Sequence, residues 1–109
     1  MKEDIIVKMF KALGHPIRYK IVKFLIDGSK CVCEIEPLLN FSKPNLSQHL
    51  KILKDSGVIV GDKKGLNIYY KLKNSEIKNI IKYGEKFFEN YINELKGEND
   101  EKAWKYYKY

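Results

Sequence analysis

Histidine and cysteine are scarce in this chain of 109 residues: His15 and His49 are the only imidazoles, and Cys31 and Cys33 the only thiols. There is no Gly-rich phosphate loop and no pair of acids at a catalytic spacing, so no enzyme is expected. Two cysteines one residue apart cannot build a secreted disulfide framework, which points to a reducing cytosol. No apolar run reaches the roughly 18 residues that cross a bilayer, and no leader pattern opens the chain. The expectation is a soluble cytoplasmic protein without a membrane partner. Repeats and low-complexity linkers are also missing. At this length the chain can build one core but not two.

Acidic residues are outnumbered, 14 against 21 Lys and Arg, for a formal charge of +7. The excess is uneven. From Asn40 to Leu72 six lysines face two acids, a net of +4; residues 1 to 39 carry +2 and residues 73 to 109 only +1. A basic middle segment is where phosphates would lie.

Apolar spacing predicts the elements. Glu3 to Leu13 carries Ile5, Ile6, Met9, Phe10 and Leu13 at helical intervals, with acids in the first turn. Gly14-His15-Pro16 ends that helix, and Pro16 suits the first turn of a second one running to about Ile26. Cys31 to Leu39 reads as a short third helix. Ser42 is the expected N-cap of a fourth, closed at Asp55-Ser56-Gly57 by a glycine C-cap. Val58 to Val60 and Ile68 to Leu72 read as two strands around a loop from Gly61 to Asn67. From Ser75 the helical period returns, and Ile77, Ile80, Ile81, Phe87, Phe88, Tyr91, Ile92 and Leu95 form a stripe about five turns long. A core this small is already served, so the stripe, with the first helix, is expected to form a two-fold dimer interface. Residues 1–96 are the expected DNA-binding and dimerisation domain, and 97–109 a polar and aromatic tail.

A polar-faced helix followed by a basic hairpin is the plan of a winged helix-turn-helix. The predicted fold class is α+β, mostly α, with about five helices and a two-stranded β-hairpin wing, dimerising through the first and last helices. With Leu46, Leu50 and Leu53 turned inward, the outer face of the fourth helix carries Gln48 and Lys51, flanked by Asn45 and Ser47. Gln48 suits base reading, because its amide can bond adenine bidentately. Ser42, Lys43, Ser47 and Lys51 suit phosphate, and Lys63 and Lys64 at the wing tip suit phosphate or the minor groove. His49 falls at the edge of the apolar face, where a packing and hydrogen-bonding role is expected. The competing use of such a domain is protein or RNA docking without an operator.

Ala12-Leu13-Gly14-His15-Pro16-Ile17-Arg18, Ser47-Gln48-His49-Leu50-Lys51-Ile52-Leu53 with Ser56-Gly57-Val58-Ile59, and Gly65 to Leu72 together resemble the ArsR/SmtB family. They are similar to its A-L-x-x-P-x-R, S-x-H-L-x-x-L…G-L-[IV] and G-x-x-x-x-Y-x-L motifs, and the likeness runs from about residue 5 to 95. It implies a homodimeric repressor that binds a palindromic DNA operator and releases it when an inducer binds.

Cys31-Val32-Cys33-Glu34 is similar to the C-V-C-[DE] site of members that sense arsenite, antimonite, cadmium or lead. Soft ions favour thiolates. Residues i and i+2 of a regular helix lie about 200° apart, so Cys31 and Cys33 can share an ion only where the helix end is frayed or unwinds on binding. Unwinding would move the third helix and, through it, the fourth. The position of a third family cysteine is Glu36 here, residues 1 to 30 hold no cysteine, and no histidine follows His49. The resemblance therefore implies neither the four-thiolate cadmium site nor the last-helix zinc site. As(III) or Sb(III) on Cys31 and Cys33 is the leading inducer, with no constitutive cofactor. Thiol oxidation is its rival as the switch.

Overall fold

The computed structural model describes residues 1–39 and 43–98. The elements run α1 (Lys2–Leu13), α2 (Pro16–Phe24), a single 3-10 turn, β1 (Lys30–Cys31), α3 (Val32–Leu39), α4 (Lys43–Asp55), β2 (Ile59–Lys64), β3 (Asn67–Leu72) and α5 (Ser75–Glu98). Contacts divide the chain into one compact unit, Met1–Lys78, and a second beginning at Asn79.

In the first unit the chemistry of each helix end fixes its boundary. The His15 ring caps α2 by accepting from the Ile17 N–H through Nδ1 at 3.1 Å, and Pro16 takes the first helical position, which needs no N–H. At the other end of α4, Gly57 adopts φ 78°, its N–H donates to the Lys54 carbonyl at 3.0 Å, and the Val58 N–H reaches back to Leu53 at 3.0 Å. That bond pair is the Schellman closure, and it satisfies carbonyls the helix end leaves open. Ile21, Val22, Leu25, Ile35, Leu46, Leu50, Leu53, Val58 and Ile59 supply the buried core. α4 packs on α1, α2 and β2, whereas α3 packs on α2 and β3.

The sheet has three antiparallel strands in the order β1-β3-β2, one more than the two-stranded wing expected. The added strand is Lys30–Cys31, so the third helix begins at Val32 and not at Cys31. Two residues are too few for a periodic pattern; their strand character comes from pairing Lys30 with Tyr70 and Cys31 with Tyr69. The hairpin strands are also longer and their connection shorter than expected. Lys63 pairs with Ile68 and Lys64 with Asn67, which leaves only Gly65-Leu66 as the loop. Gly65 has φ 64°, the positive angle a two-residue hairpin loop requires at its first position. Lys63 and Lys64 are therefore exposed strand residues at the wing's end, not loop residues. Gly61 lies opposite Tyr70, and a Cβ there would come within 2.9 Å of the ring, so this glycine makes room for the tyrosine.

The second unit is described from Asn79 to Glu98, the remainder of α5. Tyr83, Phe87 and Phe88 are exposed on it, with the Phe87 and Tyr91 rings 6.0 Å apart. The 97–109 tail falls outside the described residues from Asn99 onward. Among the described residues no helix is long and apolar enough to cross a membrane.

Candidate nucleic-acid interface and thiol site

Helix α4 divides as its period requires. Leu46, Leu50 and Leu53 are buried, while Asn45, Ser47, Gln48 and Lys51 are exposed and His49 is half-buried. Gln48 and Lys51, three apart, share the outer face; Ser47 is one residue before Gln48. Lys43 opens α4, and Ser42, its expected cap, lies outside the described residues. Two of the predicted DNA residues, Lys63 and Lys64, stand on the last two positions of β2, with consecutive side chains on opposite faces of the wing. The Lys64 ammonium lies 5.6 Å from the Tyr69 ring centroid.

A polar junction ties α4 to the domain. Arg18 Nε donates to the Ala12 carbonyl at 2.7 Å, Nη2 to the Lys11 carbonyl at 3.4 Å, and Nη1 meets His49 Nδ1 at 3.2 Å. The His15 and His49 rings stand 4.6 Å apart. Burial, then the nearby His15, then Arg18, hold the His49 imidazole below its ordinary range. Arg18 was absent from the sequence-predicted site; its place in the A-L-x-x-P-x-R motif was the only local signal. His49 has the packing and hydrogen-bonding role expected of it.

The thiol site sits where β1 turns into α3. Cys31 is buried and Cys33 exposed, their Cα atoms are 5.0 Å apart, and their sulfurs are joined as a disulfide. The helical objection to a shared ligand does not apply, because Cys31 precedes the helix. Cys31 is the N-cap of α3. Its Sγ accepts from the Cys33 N–H at 3.0 Å, and Glu34 Oε1 reaches back to accept from the Cys31 N–H at 3.2 Å. This is the reciprocal arrangement of a capping box, with sulfur in the place a serine or threonine oxygen usually takes. Because side chains of directly paired residues share a sheet face, Cys31, Tyr69 and Asp62 stand in line across the strands. Lys64, two residues after Asp62, leans over the same Tyr69 ring. The thiol site is thus two side chains from a wing lysine. Among the described residues no group of three or more His, Cys, Asp and Glu could hold a metal ion.

Residues 15–60, from the cap of α2 to the start of the wing, match the family model described as bacterial regulatory protein, arsR family. An HTH-type transcriptional regulator of Methanocaldococcus jannaschii is 41% identical over 69% of this chain and 85% of its own length. The transcriptional repressor SdpR of Bacillus subtilis is 39% identical over 84% of this chain and 96% of its own. The cadmium resistance transcriptional regulatory protein CadC of Listeria innocua is 38% identical over 73% and 68%. Among solved structures, Rv0081 of Mycobacterium tuberculosis superposes with a TM-score of 0.78 at 23% identity, covering 85% of this chain and 94% of that one. The homodimeric winged helix-turn-helix DNA-binding domain of Mb0332 from Mycobacterium bovis gives 0.77 at 20% identity, covering 84% of each. With the exposed face of α4 beside a basic wing, these matches make the chain a member of the ArsR family of DNA-binding transcriptional repressors.

Proposed function

We propose that this protein is a cytoplasmic homodimeric repressor that grips a palindromic operator with α4 and the wing. It lets go when a soft, thiophilic ion, arsenite or antimonite, bonds Cys31 and Cys33. The observation that carries the reading is the pair of sulfurs brought within bonding reach at the β1–α3 junction, one exposed and one buried. Two sulfurs suit trivalent arsenic: two As–S bonds form, two As–OH bonds break, and the thiol protons leave with the hydroxides as two waters. The third arsenic position is filled by the remaining hydroxide or a small-molecule thiol. Cys33 is the point of entry, and Cys31 closes the site.

Gln48 reads a base, Asn45, Ser47 and Lys51 hold the neighbouring backbone, and Ser42 and Lys43 do the same where α4 begins. Lys63 and Lys64 hold phosphates beside the groove. Dimerisation is supported by the apolar side chains that α1 leaves in solvent, Ile5 at 58% and Phe10 at 55%, and by Phe87 at 71% on α5. Two-fold symmetry then makes the operator palindromic. Capture of Cys31 acts on the α3 cap and on the strand paired with Tyr69, so the wing moves first. Coupling of about 1–3 kcal/mol would weaken DNA binding roughly five- to 150-fold.

The test uses a duplex selected from a randomised pool by the reduced wild-type protein. Arsenite should release it, and Cys31→Ser or Cys33→Ser should bind the duplex yet stay bound. Release of the double variant by arsenite would refute the reading. The Cys31–Cys33 bond also favours a second reading, oxidation as the switch. In that case two thiols give two electrons and two protons to peroxide, which leaves as two waters, and reduced protein ignores arsenite.

A further inference from the structure

Recognition helix α4 reaches its neighbours α1, α2 and β2 through buried leucines, and among the described residues Arg18 with His49 adds a polar tie. Arg18 is placed to do more than fill space. Its planar guanidinium holds the Ala12 carbonyl and the Lys11 carbonyl, the latter also accepting from the Gly14 N–H, at the end of α1, and presents its remaining edge to His49. Three elements are joined through one rigid fork. The joined residue on α4 directly follows Gln48 and stands two before Lys51, the pair on the DNA-facing side.

We propose that Arg18 and His49 are positioning residues for DNA binding: the neutral His49 ring, accepting from the Arg18 guanidinium, sets where α4 presents Gln48 and Lys51 to the major groove. Arginine has donors only, so the contact requires an unprotonated Nδ1, with the ring proton on Nε2. Protonating His49 would turn Nδ1 into a donor against a donor and add a cation. Among the described residues, Arg18 and His15 from the start of α2 bear on its charge, and Lys11, whose backbone carbonyl shares the Arg18 fork, stands in the last turn of α1. Strand β2, which follows α4 through the Gly57 turn, carries its charges Asp62, Lys63 and Lys64 away from its first residue, and on α4 the next cation is Lys51. With the His49 pKa lowered in the folded protein, its contribution is fully present above the ordinary imidazole value of about 6.5 and is lost as pH falls below it. DNA grip should weaken in acid with it.

The experiment measures affinity for the selected duplex between about pH 8 and about pH 5.5, with thermal melts to verify the fold. H49F keeps a ring without an acceptor and should lose about tenfold or more at the alkaline end. H49N offers an amide oxygen near the place of Nδ1, cannot be protonated there, and should restore most of that loss while removing the acid decline. R18K, whose single ammonium nitrogen cannot span acceptors that Nε, Nη1 and Nη2 reach separately, should lose about tenfold. H15N, which keeps a cap acceptor for α2, should retain the acid decline. Equal loss in H49N and H49F, or an acid decline undiminished in H49N, would overturn the proposal, since the ring itself or a direct DNA contact would then be what matters.

Discussion

Helix α4, which carries the candidate DNA-reading face, and strand β1, which carries the candidate thiol site, are fastened very differently. α4 buries three leucines, packs on three elements, closes in a Schellman turn and is clamped by Arg18. β1 is two residues long and is held by its pairing with β3 and by the capping box that Cys31 and Glu34 make. The reading surface is thus anchored to the helical core, and the thiol site to the wing. In the proposed switch, an inducer held by Cys31 and Cys33 would act first on the strand paired with Tyr69 and on Lys64 beside that ring. Helix α3 adjoins the site too and packs on α2 and β3.

The sharpest break in that comparison comes from the anchored side. Leu53 is fully buried on α4, and Leu53→Ala should cost about 3 kcal/mol in a denaturant titration and take DNA binding with it. On the wing, K63A/K64A should leave the fold intact and lower the salt slope of DNA binding by about two phosphate contacts. If induction works through the wing, arsenite-loaded wild-type protein should show a similarly reduced slope, whereas an unchanged slope would place the effect on α4. The smallest effect belongs to the cap. Glu34→Ala removes the back-bond to Cys31 and should cost about 1 kcal/mol of stability, read from thermal melts, while DNA binding without inducer stays near wild type.

The helical period was enough to find α4 and its faces, because three leucines at i, i+4 and i+7 leave only one way to turn it. Gly57 marked its end for an equally local reason. β1 was illegible: Lys30 and Cys31 carry no pattern, and only partners nearly 40 residues away make them a strand. Without that pairing Cys31 reads as a helical residue, two positions from Cys33 and on the opposite side of the helix. Asp62-Lys63-Lys64 reads as loop because it is polar on both faces, as loops usually are, although it pairs with residues 67–69. Arg18 and His49, 31 residues apart, are joined by packing that no local spacing encodes.

Amide hydrogen exchange on the reduced protein, with and without arsenite, tests the central claim most directly. Changes should concentrate at Lys30–Glu34 and around Tyr69 and Tyr70, while the Leu46–Leu53 amides of α4 keep their protection. Exchange that rises along α4 and leaves β1 and β3 as they were would contradict it.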